Sequence, residues 1–274
     1  MFDFRGIQFL IYFAQNTITT TAIKTLLKLS LFFYVLLLCA VWLFAFEFTG
    51  CTKGSLWCTV VYWTTESAGR TGTIIILLLA AILYAGYATT WLSRLRTFFS
   101  VFAVLGIVLW VFAFLNEQVL KPAIGRFRPS HTYIIDKTKS TAKLDSLYSL
   151  SEADRRTFFR EIITGDTVSF KEIDTLILDH WVAEAGYSFP SGHSFNAFLL
   201  GTFLAFGLFH TRLRWLACIP LAWAACVALS RVAIGAHSAL DVSIGAAIGI
   251  VVGYALLQVP AIQRLLAPHV YRAD

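Results

Sequence analysis

Six stretches of the chain are apolar over most of their length, and each is close to the length of a membrane-spanning helix. About 20 mostly apolar residues are needed to cross the roughly 30 Å of hydrocarbon in a bilayer. Strands of a membrane barrel would instead alternate between apolar and polar positions over about ten residues, so the pattern predicts helices. The six predicted spans are residues 29–48, 73–92, 99–120, 194–209, 215–232 and 240–258.

The loops between these spans carry their charges unevenly, and this predicts an orientation. If all six segments cross the membrane, nine basic residues lie on one side of it. They are Arg5, Lys24, Lys28, Arg94, Arg96, Arg212, Arg214, Arg264 and Arg272. Because lysine and arginine concentrate in cytoplasmic loops, that side is predicted to be the cytoplasm. Both termini are then cytoplasmic, and the first span is expected to be retained. Residues 49–72, 121–193 and 233–239 face the opposite side, the periplasm or the extracellular space.

The composition agrees with a membrane protein and excludes other classes. Of the 274 residues, 58% are hydrophobic and only 14% are charged, and the mean hydropathy is +0.71. Soluble domains carry about 25% charged residues, so a water-soluble, disordered or collagen-like chain is excluded. The predicted fold class is an all-α integral membrane protein with six transmembrane helices, in which residues 1–274 form a single domain.

Residues 130–189 differ from the rest because they are polar and acidic. They hold ten acidic and seven basic residues, whereas the whole chain has a net charge of +6. The segment is predicted to be a periplasmic helical insert between the third and fourth spans. Ser151 and Ser169 are predicted to begin two of its helices, and Gly165 and Gly186 to end them. A solvated cap without a functional role is the alternative for this insert.

Polar side chains at the ends of apolar spans are costly in lipid and are therefore candidates for function. Three groups of them occur, within residues 121–129, 189–193 and 230–241. Hydropathy and loop charge, used without reference to these groups, put all three at the outer ends of spans. We therefore expect them to meet at one face of the membrane.

The cations of these groups predict a binding site for phosphate. Arg128 and Arg231 present forked donors that match phosphate oxygens, and Lys121 adds a point charge. Ser191 and Gly192 begin a predicted helix, where free N–H groups and the helix dipole attract an anion. These five residues are the candidate phosphate-binding residues.

Two histidines and one carboxylate complete the cluster. His237 and Asp241 are four residues apart, so on a helix they share one face, and Asp241 could hold His237 as a nucleophile. His193 has no carboxylate near it in the sequence and is the candidate proton donor and acceptor. A zinc site made of these three residues is an alternative, but three neighbouring cations disfavour a metal ion.

Several other residues have alternative or structural interpretations. Ser191 is an alternative nucleophile, although its neighbours resemble phosphate donors. Cys51 and Cys58 share the first outward loop, where a disulfide could persist in an oxidising compartment. Three further residues are interpreted as structural: Arg126, Glu117 and His210.

The three groups resemble the signature of the type 2 phosphatidic acid phosphatase superfamily, which reads Lys-x6-Arg-Pro, Pro-Ser-Gly-His and Ser-Arg-x5-His-x3-Asp. All three parts are complete and in order between residues 121 and 241. The end of the insert, residues 180–190, is also similar to bacterial phosphatidylglycerophosphate phosphatases. The resemblance implies that His237 attacks phosphorus to form a phosphohistidine, that Asp241 orients it, and that His193 protonates the leaving oxygen. It also implies that no metal or other cofactor is needed.

With the predicted spans, the resemblance implies a phosphatase of lipid phosphates or diphosphates at the periplasmic face of a bacterial inner membrane. The expected substrates are phosphatidylglycerophosphate, phosphatidate-type lipids and undecaprenyl diphosphate. The lipid and the bilayer are the expected partners, without nucleic acid or an obligate protein partner. A phosphotransferase that uses a polyprenyl diphosphate as donor requires the same residues and stays an alternative. An anion transporter is disfavoured, because a pore has no need of the paired His237 and Asp241.

Overall fold

A computed structural model describes residues 4–43, 51–166 and 168–266, with side chains from residue 21 onward. Apart from one isolated bridge between Thr52 and Ile173, the regular structure in these ranges is helical. The helices are α1 Phe4–Leu38, α2 Leu56–Glu66, α3 Arg70–Ala85, α4 Trp91–Leu115, α5 Lys121–Ile124, α6 Pro129–Thr138, α7 Leu144–Tyr148, α8 Glu152–Gly165, α9 Thr175–Ala183, α10 Gly192–Phe209, α11 Cys218–Ala233, α12 Ala239–Leu257 and α13 Pro260–Leu266. Single π-helical turns, Cys39–Leu43 and Asn116–Leu120, extend α1 and α4.

Five helical segments in the described part of the chain are long and apolar enough to cross a membrane. They are Thr21–Leu43, Trp91–Ile124, Gly192–Phe209, Arg214–Ala233 and Ala239–Leu257. The bent pair α2 and α3 makes a sixth if its two parts count as one span. The all-α class with apolar spans is therefore confirmed. The last three predicted spans agree with observed helices to within two residues at each end.

The second predicted span, residues 73–92, is wrong in both its shape and its end. α2 and α3 meet at an angle of 61°. Gly69 stands between them with an extended backbone, and the hydroxyl of Ser67 donates to the carbonyl of Thr64 at 2.6 Å, which closes the last turn of α2. α3 then ends at Ala85, because the chain turns before α4 begins.

The other two N-terminal spans differ from their predictions at their starts. α1 is helical from Phe4, well before the predicted start at residue 29, and residues 44–48 of that prediction lie outside the described residues. α4 begins eight residues earlier than predicted, because Thr90 and Ser93 form a reciprocal capping box at its N-terminus.

Glycines allow α12 to lie against α10 at very short range. A Cβ atom at Gly245 would lie 2.3 Å from the carbonyl oxygen of Ser191, and one at Gly249 would lie 2.6 Å from that of Phe195. Since real Cβ atoms do not approach that closely, only glycine fits these positions. The close approach fixes the N-terminus of α10 beside that of α12.

Helices α6 to α9 occupy the segment predicted as an insert. Ser151 caps α8, and α8 ends at Gly165, as predicted. The predicted start at Ser169 is wrong: its N–H donates to a side-chain oxygen of Asp166 at 2.9 Å and so lies in a turn. α9 begins instead after Asp174, whose carboxylate accepts the N–H two residues further on.

The end of α9 is attached to the helices that carry the signature residues. The indole N–H of Trp181 donates to the carbonyl of Ile234, in the loop between α11 and α12, at 2.6 Å. α9 ends at Ala183 rather than at the predicted Gly186. The residues between these two positions therefore lie outside the helix.

Cys51 and Cys58 are both buried, and in the structure each has a free thiol rather than sharing a disulfide. Burial, together with the neighbouring thiol of Cys58, raises the pKa of Cys51 to about 12. Cys51 is therefore a neutral, packed side chain in this state.

Candidate active site

Two helix N-termini meet at the predicted site. Ser191 and Ser238 cap α10 and α12, and their hydroxyl oxygens accept the N–H groups of Ser194 and Asp241, both at 3.4 Å. The N–H of Ser191 donates to the backbone carbonyl of Asp241 at 3.0 Å, so the two termini are bonded directly. Arg231 adds a cation from the last turn of α11. Two positive helix ends and an arginine together favour an anion.

His237 precedes α12 instead of lying on it, which corrects the predicted reason for its pairing with Asp241. The imidazole Nδ1 of His237 is 3.6 Å from Oδ2 of Asp241, slightly longer than a hydrogen bond. The same Oδ2 accepts the N–H of Ser238 at 2.8 Å and closes a capping box. The helix cap, and not a shared helix face, therefore puts the carboxylate beside the imidazole.

The environment of His237 keeps its imidazole neutral near pH 7. Burial lowers its pKa to about 3; Asp241 opposes this effect and Arg128 adds to it. Nε2 of His237 is 3.4 Å from Nη1 of Arg128. With Nδ1 directed at a carboxylate, the lone pair of the neutral ring lies on Nε2. The ring therefore offers a nucleophilic nitrogen next to a cation.

Glu184, to which the sequence analysis gave no role, lies between Arg128 and Arg231. Its Oε2 is 2.6 Å from Nη1 of Arg128 and also bonds Nη2 of Arg231. Burial alone would raise the pKa of Glu184, but Arg231 and Arg128 outweigh burial and hold the pKa well below its usual range. An ionised carboxylate therefore occupies the anion-binding ends of two arginines that were predicted to hold phosphate.

Backbone carbonyls fix the segment that carries Glu184. Nε of Arg128 donates to the carbonyl of Gly186 at 2.9 Å, and Nε of Arg155 donates to that of Ala185, also at 2.9 Å. Nη1 of Arg128 also donates to the carbonyl of Ala236 at 3.0 Å. The insert and the loop before α12 are thus joined through one buried arginine.

His180 extends this network, and it too was missed as a site residue. Its Nε2 is 2.8 Å from Nη1 of Arg231, and its Nδ1 is 3.3 Å from Oε1 of Glu66. His180 and Glu184 are four residues apart, which is the spacing of His237 and Asp241. The sequence therefore contained a signal for this part of the site, namely a second histidine–carboxylate pair with the same spacing.

A cavity of about 200 Å³ joins the two histidines of the site. The predicted site residues that line it are Lys121, Arg128, Gly192, His193 and His237. Ser191, Arg231 and Asp241 have no exposed surface and lie behind this lining. The structure therefore brings all eight predicted residues into one region, five of them around the cavity and three in support.

Two residues interpreted as structural in fact lie at the site. Oε1 of Glu117 is 2.5 Å from Nζ of Lys121, and Glu117 lines the cavity. Nε of Arg126 is 3.4 Å from Oδ1 of Asp241. His210 is at the other end of α10, where its Nδ1 is 2.7 Å from the carbonyl oxygen of Phe206.

The geometry gives less support to the two alternatives, Ser191 as the nucleophile and a zinc site. The hydroxyl oxygen of Ser191 is buried and accepts hydrogen bonds from the N–H and the hydroxyl of Ser194, so it is not presented as a nucleophile. Within the described ranges, no three His, Cys, Asp or Glu side chains lie close enough together to hold a metal ion.

Known proteins match this chain in the region of the site. The family model described as the PAP2 superfamily matches residues 98–264, which contain every predicted site residue. Phosphatidylglycerophosphatase B of Escherichia coli strain K12 is 28% identical over 153 residues, and the protein of that name from Shigella flexneri gives the same values. The aligned region is 56% of this chain and 56% of each relative, so the chain spans about half the length of the curated relatives it matches. Since the family model covers more than half of the chain, the chain belongs to the PAP2 superfamily, as the three groups of residues predicted.

Proposed function

We propose that this member of the PAP2 superfamily is an integral-membrane phosphatase of lipid phosphates and diphosphates. The observation that supports this most directly is the cavity shared by His237, His193, Lys121 and Arg128. A phosphate in this cavity meets a neutral nucleophile, a second imidazole for proton transfer, and two cations for its oxygens.

In the proposed first step, Nε2 of His237 attacks phosphorus, and the bond between phosphorus and the leaving oxygen breaks. The electron pair of that bond stays on the leaving oxygen, which takes a proton from His193. The phosphorylated imidazole gains positive charge, and the carboxylate of Asp241 at 3.6 Å stabilises it. The product of this step is a phosphohistidine.

In the second step, water attacks the phosphohistidine and His193 accepts a proton from that water. The nitrogen–phosphorus bond breaks, so that inorganic phosphate leaves and His237 is neutral again. Lys121, Arg128 and the N-terminus of α10 balance the charge on the phosphoryl oxygens in both steps. Neither step uses a cofactor.

Glu184 has to give way when a phosphate enters. Its carboxylate bonds the ends of Arg128 and Arg231, where we expect phosphate oxygens to bind. Two buried arginines without a counter-ion would carry a large desolvation penalty. Glu184 therefore keeps both arginines paired while the cavity has no substrate.

The proposed orientation puts the site at the periplasmic face of a bacterial inner membrane, with both termini in the cytoplasm. The bent pair α2 and α3 then counts as one span, which gives six. Arginines concentrate at the opposite ends of the helices, as the positive-inside rule requires. They are Arg94, Arg96, Arg212, Arg214 and Arg264. The bacterial relatives support the choice of membrane.

Phosphate release by the purified chain in lipid nanodiscs tests this function. The substrates are phosphatidylglycerophosphate, phosphatidate and undecaprenyl diphosphate, each labelled on its terminal phosphate, with a chelator and without added divalent metal. We expect free labelled phosphate from at least one lipid, and inhibition by vanadate. Label transferred to a second lipid would identify a phosphotransferase instead. No release from any lipid, or anion flux without hydrolysis, would contradict the proposal.

A further inference from the structure

A second cavity adjoins the first and shares part of its lining with it. Its volume is about 170 Å³, and it lies between the start of α3 and the end of α4. Glu117, Gly192 and His193 line both cavities, whereas His237 lines the first. His193 therefore borders both spaces.

The proposed chemistry determines what the second cavity holds. Attacking and leaving atoms lie roughly in line on opposite sides of phosphorus in a phosphoryl transfer. His237 attacks from the first cavity, and His193 protonates the leaving oxygen, so the leaving group lies next to His193, on the side of phosphorus away from His237. The second cavity is lined by His193 but not by His237, and it receives the part of the substrate that remains after phosphate is removed.

The polar groups of the second cavity suit an anion. Arg70 is the first residue of α3 and lines the cavity with an exposed side chain. In the described part of the chain it forms no ion pair. The first N–H groups of α3 also lack partners within the helix. Gly69 brings this terminus close to the proton donor, because a Cβ atom there would lie 3.5 Å from Nε2 of His193.

Asn116 points to a ligand in this cavity independently of the helix terminus. It is 1% exposed and lines the cavity, and its Nδ2 donates to the carbonyl of Pro190 at 3.3 Å. Its Oδ1 has no hydrogen-bond partner among the described residues. An unpaired buried oxygen is unfavourable, and a hydroxyl of a ligand or its bound water would satisfy it.

The nearby carboxylates do not cancel the positive charge of Arg70. Glu117 lines the cavity but is bonded to Lys121 at 2.5 Å. Glu66 lies beside Gly69, and its Oε1 is 3.3 Å from Nδ1 of His180. Arg70 is thus the cation of this cavity that no carboxylate neutralises within the described ranges.

We infer that the second cavity binds a second phosphate, and that Arg70 selects lipid diphosphates over lipid monophosphates. The inference rests on the proposed function. The bond between the terminal phosphorus and the bridging oxygen breaks, and the lipid monophosphate leaves with the electron pair and the proton from His193. Its phosphate is held by Arg70 and the N-terminus of α3 while this happens. A monophosphate substrate leaves as an alcohol, which carries no charge for Arg70 to bind.

Two substrates with one tail test the inference: farnesyl diphosphate and farnesyl phosphate. We measure kcat/KM of the full chain and of the variants Arg70→Gln, Arg70→Lys and Arg96→Gln, the last being an exposed arginine in the first turns of α4. Arg70→Gln is expected to lower the diphosphate-to-monophosphate ratio about 10-fold, mainly through KM, because a charge-assisted hydrogen bond to phosphate is lost. Arg70→Lys keeps the charge and is expected to retain part of the ratio, and Arg96→Gln is expected to leave it unchanged.

Each other outcome has a definite meaning. An unchanged ratio in Arg70→Gln would overturn the inference, and so would an equal fall in both activities, which indicates a structural role. A similar fall of the ratio in Arg96→Gln would overturn it as well, because the effect would then be one of general surface charge. If the unmodified chain releases phosphate from neither substrate, the proposed function itself fails.

Discussion

The helices α10 to α12 and the insert α6 to α9 both contribute to the site, but they are built differently. α10 buries phenylalanines along its length, and glycines of α12 lie against it. The insert has an apolar core as well, which includes Phe159 and Trp181, but it also buries the cation of Arg155 and the imidazole of His131. Arg155 is satisfied by the carbonyls of Tyr148, Leu150 and Ala185.

This difference separates two tasks. The apolar helices hold their polar residues at one end, and these include the two histidines and Asp241 that we assign to bond making and proton transfer. Glu184 of the insert and Arg128, which precedes α6, set the charge of the proposed phosphate site. Changes in the apolar helices should therefore affect the chemical step, and changes in the insert should affect anion binding and stability.

The largest expected effect is that of His237→Ala. Without its nucleophile the enzyme should lose turnover by about 10³-fold or more. The protein should still insert and fold, because the substitution removes one side chain from a loop. His210→Ala, at the other end of α10, is the control and should keep turnover within about threefold of the unmodified protein in phosphate-release assays. Near-normal activity in His237→Ala would contradict the assignment of His237 as the nucleophile.

Glu184→Gln should destabilise the insert and strengthen its response to anions. The change leaves Arg128 and Arg231 without their carboxylate, at a cost of about 3 kcal/mol. Vanadate should replace the missing charge and raise the melting temperature of this variant more than that of the unmodified protein. Glu152→Gln is the matched control, because Glu152 lines the same cavity but pairs with the exposed Arg156. Equal responses to vanadate in the two variants would contradict the role given to Glu184.

Gly245→Ala tests the close contact of α10 and α12. The new Cβ would meet the carbonyl of Ser191 at 2.3 Å, so the helices must move apart, at a cost of about 2 kcal/mol. Turnover should fall too, because His193 and Asp241 lie at the ends of these helices. Gly106→Ala is the control, since its nearest neighbour is 3.8 Å away. A thermal unfolding series in which both variants lose equal stability would show that the contact is not critical.

The smallest effect concerns pH and His131. Burial and Arg128 lower the pKa of His131 to about 3, whereas an unfolded histidine titrates near 6.5. Between these values the unfolded chain binds a proton that the folded chain does not, so stability falls as pH decreases, by about 1 kcal/mol from pH 7 to pH 5.5. Unfolding measurements on His131→Asn should show a pH dependence smaller by that amount. An undiminished dependence would mean that His131 is not the group responsible.

Sequence patterns predicted the last three spans well, because long apolar runs leave little choice of boundary. They failed at the bend between α2 and α3, where Ser67 and Gly69 interrupt one apolar stretch without a proline. They also failed at the start of α9, because both Ser169 and Asp174 have the side-chain chemistry of a helix cap. Which of them begins the helix depends on the turn that Asp166 makes with Ser169.

The sequence predicted a set of residues that the structure brings together, but it did not predict the contacts among them. The four-residue spacing predicted that His237 and Asp241 lie close together on one helix face. They do lie close together, but the capping box between Ser238 and Asp241 is what brings them there. The bridge from Arg128 through Glu184 to Arg231 joins positions 56 and 47 residues apart along the chain. No local period connects them, so only the folded insert reveals that a carboxylate occupies the proposed phosphate site.

The central claim is that His237 carries the phosphoryl group between substrate and water. Rapid mixing of the unmodified enzyme with a lipid diphosphate, stopped in alkali within one turnover, preserves a phosphohistidine for mass spectrometry. Our account predicts phosphate on His237, at a level that falls as free phosphate appears. Phosphate attached to another residue, or release of free phosphate at the full rate without any phosphorylated enzyme, would contradict it.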